Sequence, residues 1–150
     1  MSKLVTIGWQ EWVALPELSS VPIKVKVDTG AKTCALHAFK VEPYEKEGQS
    51  YVKYLVHPYQ HDDSQFIECH SLVVDQREVS DSGGHREMRY VIQTTVSLAG
   101  NKFSAEISLT DRDTMKFRML LGRNALRNKY LVDCSKSFML GGKFDSPDDA

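Results

Sequence analysis

A chain of 150 residues, 41% hydrophobic and 26% charged, has the make-up of one ordinary globular domain. A net charge of -1 excludes a general attraction to nucleic acid or to an anionic membrane surface, and no stretch has the length and apolarity of a membrane span. The three cysteines, Cys34, Cys69 and Cys134, have no paired spacing, which argues against a disulfide framework and for a reducing compartment.

The N-terminal MSKLVTIGWQEW lacks the continuous apolar core and small-residue cleavage site of a secretory leader, so a cytoplasmic location is expected. Strand signals dominate the chain. Residues 3–7 (KLVTI), 21–27 (VPIKVKV), 51–57 (YVKYLVH), 71–79 (SLVVDQREV), 88–98 (MRYVIQTTVSL) and 102–109 (KFSAEISL) are rich in β-branched and aromatic residues. Several of them alternate apolar and polar positions, the period of a half-buried strand. Turn residues punctuate the runs at KEGQS, SDSGGH and AGN, and AGN joins its two neighbours as a hairpin.

One helix is expected, over 123–129 (RNALRNK), after a short apolar strand in 117–122 (FRMLLG). At about two turns it is too short to stand alone and must pack on the sheet. The expected class is all-β, a closed barrel-like sheet with one short helix near the C-terminus. The domain is read as residues 1–142, and the polar, acidic KFDSPDDA of 143–150 as a frayed tail.

Two motifs carry chemistry. In the first, a strand of alternating residues ends in Asp28-Thr29-Gly30-Ala31. Asp-x-Gly is ordinary turn chemistry, but here a strand delivers a carboxylate into a tight loop of small residues. In the second, far downstream, the apolar MLL of 119–121 ends in Gly122-Arg123-Asn124. Each motif alone is weak. The ordered pair, with strands between and a short helix after, resembles the aspartic protease signature, and LLGRNAL (120–126) resembles the corresponding segment of the retropepsins.

The resemblance extends further. KVDTGAKTCALHA (26–38), LTDRDTMKFRMLLGR (109–123) and IGWQEWVALPEL (7–18) are similar to a bacterial family of cytosolic retropepsin-like proteins. That family is labelled "ATP-dependent zinc protease" and is associated with the enzyme that adds glutamates to ribosomal protein S6. The resemblance implies a retropepsin-like fold, in which the glycine of the later strand lets two backbones pass closely beside the Asp-bearing loop.

Such chemistry has a strict requirement. Aspartic proteolysis uses two carboxylates that share one proton. With one Asp-Thr-Gly in the chain, the pair forms only across a two-fold axis, where Asp28 meets its own copy. A homodimer is therefore expected, with Asp28 as acid and base, Thr29 bracing the loop and Gly30 allowing backbone approach to substrate. The flap of such an enzyme, a hairpin that closes over substrate, is sought in REVSDSGGHREMRY (77–90). Its Ser82-Gly83-Gly84 tip can offer backbone donors to a peptide, and serves as well as a plain hairpin turn. The segment between the motifs exceeds that of the retroviral enzymes, and the excess is assigned to 40–66.

Substrate contacts are expected from Ala31, Lys32, Gly83, Gly84, Arg86, Arg89, Arg112 and Arg123. Retroviral enzymes carry an acid two positions after the glycine, paired with the later arginine. Here that position is Lys32, which leaves two cations, Lys32 and Arg123, that an acidic substrate would satisfy. Arg86, Arg89, Arg112 and Arg118 would widen a basic cleft, or serve as solvated surface charge. The expected substrate is an acidic peptide or protein tail, ribosomal protein S6 being the one implied by the resemblance.

The metal reading rests on His57, His61, Cys69 and His70. Pro58 spoils a helical pair of ligands, and alternate strand residues diverge. Neither this cluster nor any phosphate-binding glycine loop makes a zinc or ATP site legible, so no cofactor is expected. Two alternatives stay open: a dimeric module that binds acidic peptides without cutting them, and a zinc-dependent peptidase.

Overall fold

The computed structural model describes residues 4–60, 62–80, 83–111 and 117–142. Among these, the elements in chain order are β1 (Val5–Gly8), β2 (Gln10–Val13), β3 (Ile23–Val27), β4 (Cys34–His37), β5 (Phe39–Lys46), β6 (Gln49–Val56), β7 (Ile67–Ser80), β8 (Arg86–Leu98), β9 (Asn101–Thr110), β10 (Met119–Leu121), α1 (Arg123–Leu126) and β11 (Tyr130–Asp133). The chain is all-β with one short helix, as its strand-rich sequence indicates. The helix is one turn rather than two. Arg127 leaves helical geometry at ψ 130°, and Asn128 turns the chain toward β11 with φ +66°, a left-handed conformation that asparagine tolerates.

Nine strands form one sheet in the order β2-β3-β10-β4-β9-β8-β7-β6-β5, and β1 pairs with β11 in a second, parallel sheet. The large sheet is open, not the closed barrel expected. The long antiparallel β7–β8 pair hands it on to the β5–β6 hairpin, and those added strands carry the free edge away from β2. The sheet curls far enough for a bridge between Ala14, just past β2, and Ser97 of β8, with N···O distances of 3.0 and 2.9 Å.

Burial explains which strands are legible in the sequence. In β3, Ile23, Val25 and Val27 are buried while Lys24 and Lys26 are not, the clean period of two. β4 is buried at all four positions, so its sequence CALH shows no alternation. β5 is an edge strand holding Pro43, tolerated there because no neighbour needs its missing N–H. The core joins Ile23, Val25 and Val27 to Leu36, Ile107, Leu109, Met119 and Leu121. Each such side chain stabilises the fold by about 1.5–3 kcal/mol.

One core residue is a carboxylate. Glu11 is fully buried and accepts the backbone N–H of Gly8 at 2.8 Å and of Met139 at 3.0 Å. Around it, Trp9 N–H donates to the Lys136 carbonyl, Phe138 N–H donates to that of Gln10, and Trp12 stacks on Phe138 at 5.6 Å. The last described residues are thereby fastened onto the β1–β2 corner.

Candidate active site

β10 is the element that assembles the site. It pairs in parallel with β3, Leu121 opposite Val27, and antiparallel with β4. The strand bearing Asp28 and the strand preceding Gly122 therefore end side by side. Gly122 sits against β4's leading turn: a Cβ there would lie 2.5 Å from the Thr33 carbonyl oxygen and 2.9 Å from its nitrogen. Only glycine permits that crossing.

The Asp28 loop is held at every turn. Asp28 N–H donates to the Leu121 carbonyl at 2.9 Å, and Ala31 N–H to the Asp28 carbonyl at 3.1 Å. Gly30 N–H donates to Asp28 Oδ1 at 3.0 Å. The first amides of α1, on Arg123 and Asn124, donate to the carbonyls of Ala31 and Lys32 at 2.8 and 3.0 Å. These are donors that a helix start cannot satisfy internally. Behind the loop, Cys34 Sγ accepts from Gly122 N–H at 3.5 Å. Burial pushes the Cys34 thiol up, so it stays neutral and acts as packing rather than as a nucleophile.

Asp28, Gly30, Ala31, Lys32 and Arg89 line one cleft of about 610 Å³, together with Thr33, Ala35, Val79, Ser80, Ser108 and Leu120. Sequence reasoning does not single out those last six. Ser108 lies opposite Ala35 in the parallel β4–β9 register, so recognising β4 as a strand would have found both. Val79 and Ser80 come from the descending arm of the β7–β8 hairpin, the segment read as the flap, which closes in register from Arg77–Arg89 to Ser80–Arg86.

Other candidates lie elsewhere. Thr29 and Arg123 line a separate apolar groove with Leu126, Arg127, Tyr130, Leu131 and Val132. Arg123 does not stand beside Lys32 as an unpaired cation of the cleft: its Nη1 donates to the Thr29 carbonyl at 3.0 Å. Arg86 is exposed and pairs with Glu78 at 3.3 Å, and Gly83 and Gly84 are exposed near the hairpin tip, outside the cleft lining. Arg118 pairs with Asp63, holding that carboxyl below its usual range, and its Nε donates to the Tyr59 carbonyl at 3.2 Å. Arg112, Ser82, His61 and the tail 143–150 lie outside the described residues.

The possible metal ligands are dispersed. His57 Nδ1 meets the Gln65 carbonyl at 3.1 Å. His70 meets Tyr44 Oη at 2.9 Å and Glu68 at 3.1 Å. Cys69 is buried, with Sγ directed to the Leu18 carbonyl at 3.6 Å. Among the described residues no three His, Cys, Asp or Glu side chains converge as a metal site. No helix among them is long and apolar enough to cross a membrane.

Comparison with known proteins accords with this architecture. Over residues 6–142 the chain matches the model of the RimB-like family, described as retropepsin-like aspartic endopeptidase RimB. It is 46% identical over 139 residues to a probable alpha-L-glutamate ligase of Shewanella pealeana, covering 93% of this chain and 30% of that protein. A protein of the same name from Parasynechococcus marenigrum is 40% identical over 141 residues, covering 94% and 30%. The chain thus spans about 30% of the length of the curated relatives it matches. A crystal structure of a Legionella pneumophila protein of unknown function superposes with a TM-score of 0.77 at 23% identity, covering 91% of this chain and 98% of that one, which supports the fold. On the match spanning residues 6–142, the chain belongs to the RimB-like family of retropepsin-like aspartic endopeptidases.

Proposed function

We propose that the chain is an aspartic endopeptidase, active as a homodimer, that hydrolyses peptide bonds in an acidic, glutamate-rich substrate. The observation that carries this reading is Asp28, fixed by its loop in the lining of a cleft that also holds Lys32 and Arg89. Two copies of Asp28 across a two-fold axis share one proton, because two adjacent carboxylates do not both ionise cheaply. The ionised carboxylate takes a proton from water as the water oxygen adds to the substrate carbonyl carbon. The protonated one gives its proton to the carbonyl oxygen. Collapse of that intermediate breaks the C–N bond, and a proton passes to the leaving amine.

Two further observations support the reading. The apolar groove beside the loop, with Leu131 53% exposed, gives a second copy a surface to cover next to Thr29. Relatives named as glutamate ligases carry a matching region as about 30% of their length, and a hydrolase within such a polypeptide fits a shared glutamate chain. Ribosomal protein S6 bearing added glutamates is the specific candidate.

The test is mass spectrometry of a peptide ending in six glutamates, and of S6 carrying such a tail, after incubation with the chain and with Asp28→Asn. Shortening by the parent chain alone, with rate per chain rising as protein concentration is raised through the dimerisation range, supports the reading. Turnover by Asp28→Asn, or full activity of a strict monomer, overturns it. Loss of activity on chelation, restored by stoichiometric zinc, would put a metallopeptidase in its place.

A further inference from the structure

Two cations line the cleft beside Asp28, and they are held differently. Lys32 is exposed on the loop. Arg89, on β8, is only 8% exposed, and its Nε donates to Glu87 Oε2 at 3.1 Å. That same carboxylate oxygen accepts the Thr110 hydroxyl at 3.2 Å. A hydroxyl at the end of β9 thus fixes the carboxylate that fixes the guanidinium.

The neighbouring strand sharpens the contrast. The β7–β8 register sets Arg77 directly opposite Arg89, a like-charge pair that destabilises a sheet unless it is compensated. Arg77 is compensated twice, by Asp75 at 2.6 Å and by both oxygens of Glu106 at 2.8 and 3.1 Å. Among the described residues Arg89 has Glu87 as its carboxylate partner, engaged through Nε. The terminal Nη pair is the planar fork that matches a carboxylate in two parallel hydrogen bonds. With Arg123 turned to Thr29 in the other groove, Arg89 is, among the described residues, the arginine of the cleft lining.

We infer that Arg89, positioned by Glu87 and Thr110, is the specificity-determining residue of this cleft and takes the side-chain carboxylate of a substrate glutamate. Its place beside the scissile bond rests on the peptidase reading; carboxylate recognition itself does not. Lys32 adds a field that favours acidic chains, but as an exposed point charge it does not read geometry. Glutamine differs from glutamate at the recognised end alone, so a site built for the charged form discriminates between them.

The experiment is calorimetric titration of the Asp28→Asn chain with hexaglutamate and with hexaglutamine peptides, alone and with Arg89→Gln, Arg89→Lys or Glu87→Gln added. Hexaglutamate should bind about ten- to a hundred-fold more tightly than hexaglutamine, the range of a charge-assisted pair. Arg89→Gln should erase most of that ratio, and Arg89→Lys should restore little of it. Glu87→Gln should reduce the ratio while leaving the fold in place by circular dichroism. The ratio is the readout because loss of fold weakens both peptides alike. Binding of neither peptide, no preference in the parent, equal loss of both in the variants, or a preference that survives Arg89→Gln overturns the inference. Turnover of hexaglutamate by the catalytically intact chain is measured in parallel. Arg89-dependent binding without turnover removes the peptidase reading alone, and turnover whose preference ignores Arg89 removes the inference alone.

Discussion

Arg123 Nη1 donates to the carbonyl oxygen of Thr29 at 3.0 Å, across 94 residues of sequence. The arginine of the second motif therefore braces the backbone of the first, while the adjacent amides of α1 hold Ala31 and Lys32. Replacing Arg123 by alanine should cost about 1 kcal/mol of stability, the usual net worth of such a bond. Thr29 and Arg123 share the groove proposed to receive the second copy, so the same variant should also weaken dimerisation. Sedimentation of Arg123→Ala across a concentration series checks it, and a parent-like dimer would separate the brace from the interface.

Gly122→Ala should be far more damaging than its size suggests. The added methyl would meet the Thr33 carbonyl oxygen at 2.5 Å and the Thr33 nitrogen at 2.9 Å. Both are backbone atoms of Thr33, so no flexible side chain is there to yield. A loss of about 3 kcal/mol is expected, at the upper end of overpacking costs. Urea denaturation measures it, and a parent-like midpoint would mean that β4 and β10 separate without penalty.

Glu11→Ala should loosen the C-terminal segment. Three backbone donors, the N–H groups of Gly8, Met139 and Leu140, lose their carboxylate acceptor in a fully buried position. The expected loss is about 3 kcal/mol, since buried donors without partners cost more than the bonds they replace. Limited proteolysis should then cut near residue 139 in the variant and not in the parent. Equal resistance of the two would assign the fastening to the Trp12–Phe138 stack instead.

Alkaline stability reports on Cys69. Burial pushes its thiol from 9.0 up to about 11, so between those values the unfolded chain ionises this group and the folded chain does not. The folded state binds more protons there, and stability falls as pH rises through that window. Below pH 9 the contribution is fully present. Cys69→Ala should flatten this part of the profile, measured as melting temperature from pH 8 to 11. An unchanged slope would assign the decline to other groups, such as Tyr54, whose hydroxyl burial also pushes up.

Strands are legible in this chain where one face is wet and hidden where both are dry. β3 and β6 alternate and can be read directly. The four buried residues of β4 pass for the continuation of a loop. Asp28 and Gly122 are legible because a carboxylate and a glycine at strand ends have few interchangeable substitutes. Arg123 and Arg89 are legible as arginines but not in their surroundings. Which cation faces the cleft depends on register and on partners such as Glu87 and Thr110, and these become neighbours only once β8 and β9 are paired.

The parallel pairings also fix when the Asp28 loop can be seated during synthesis of the chain. β1 waits for β11, and β3, with Asp28 at its end, waits for β10. Antiparallel hairpins such as β8–β9 form from neighbouring residues, whereas these contacts need almost the whole chain. A growing polypeptide that has not reached Leu121 has the acid but no strand to seat it.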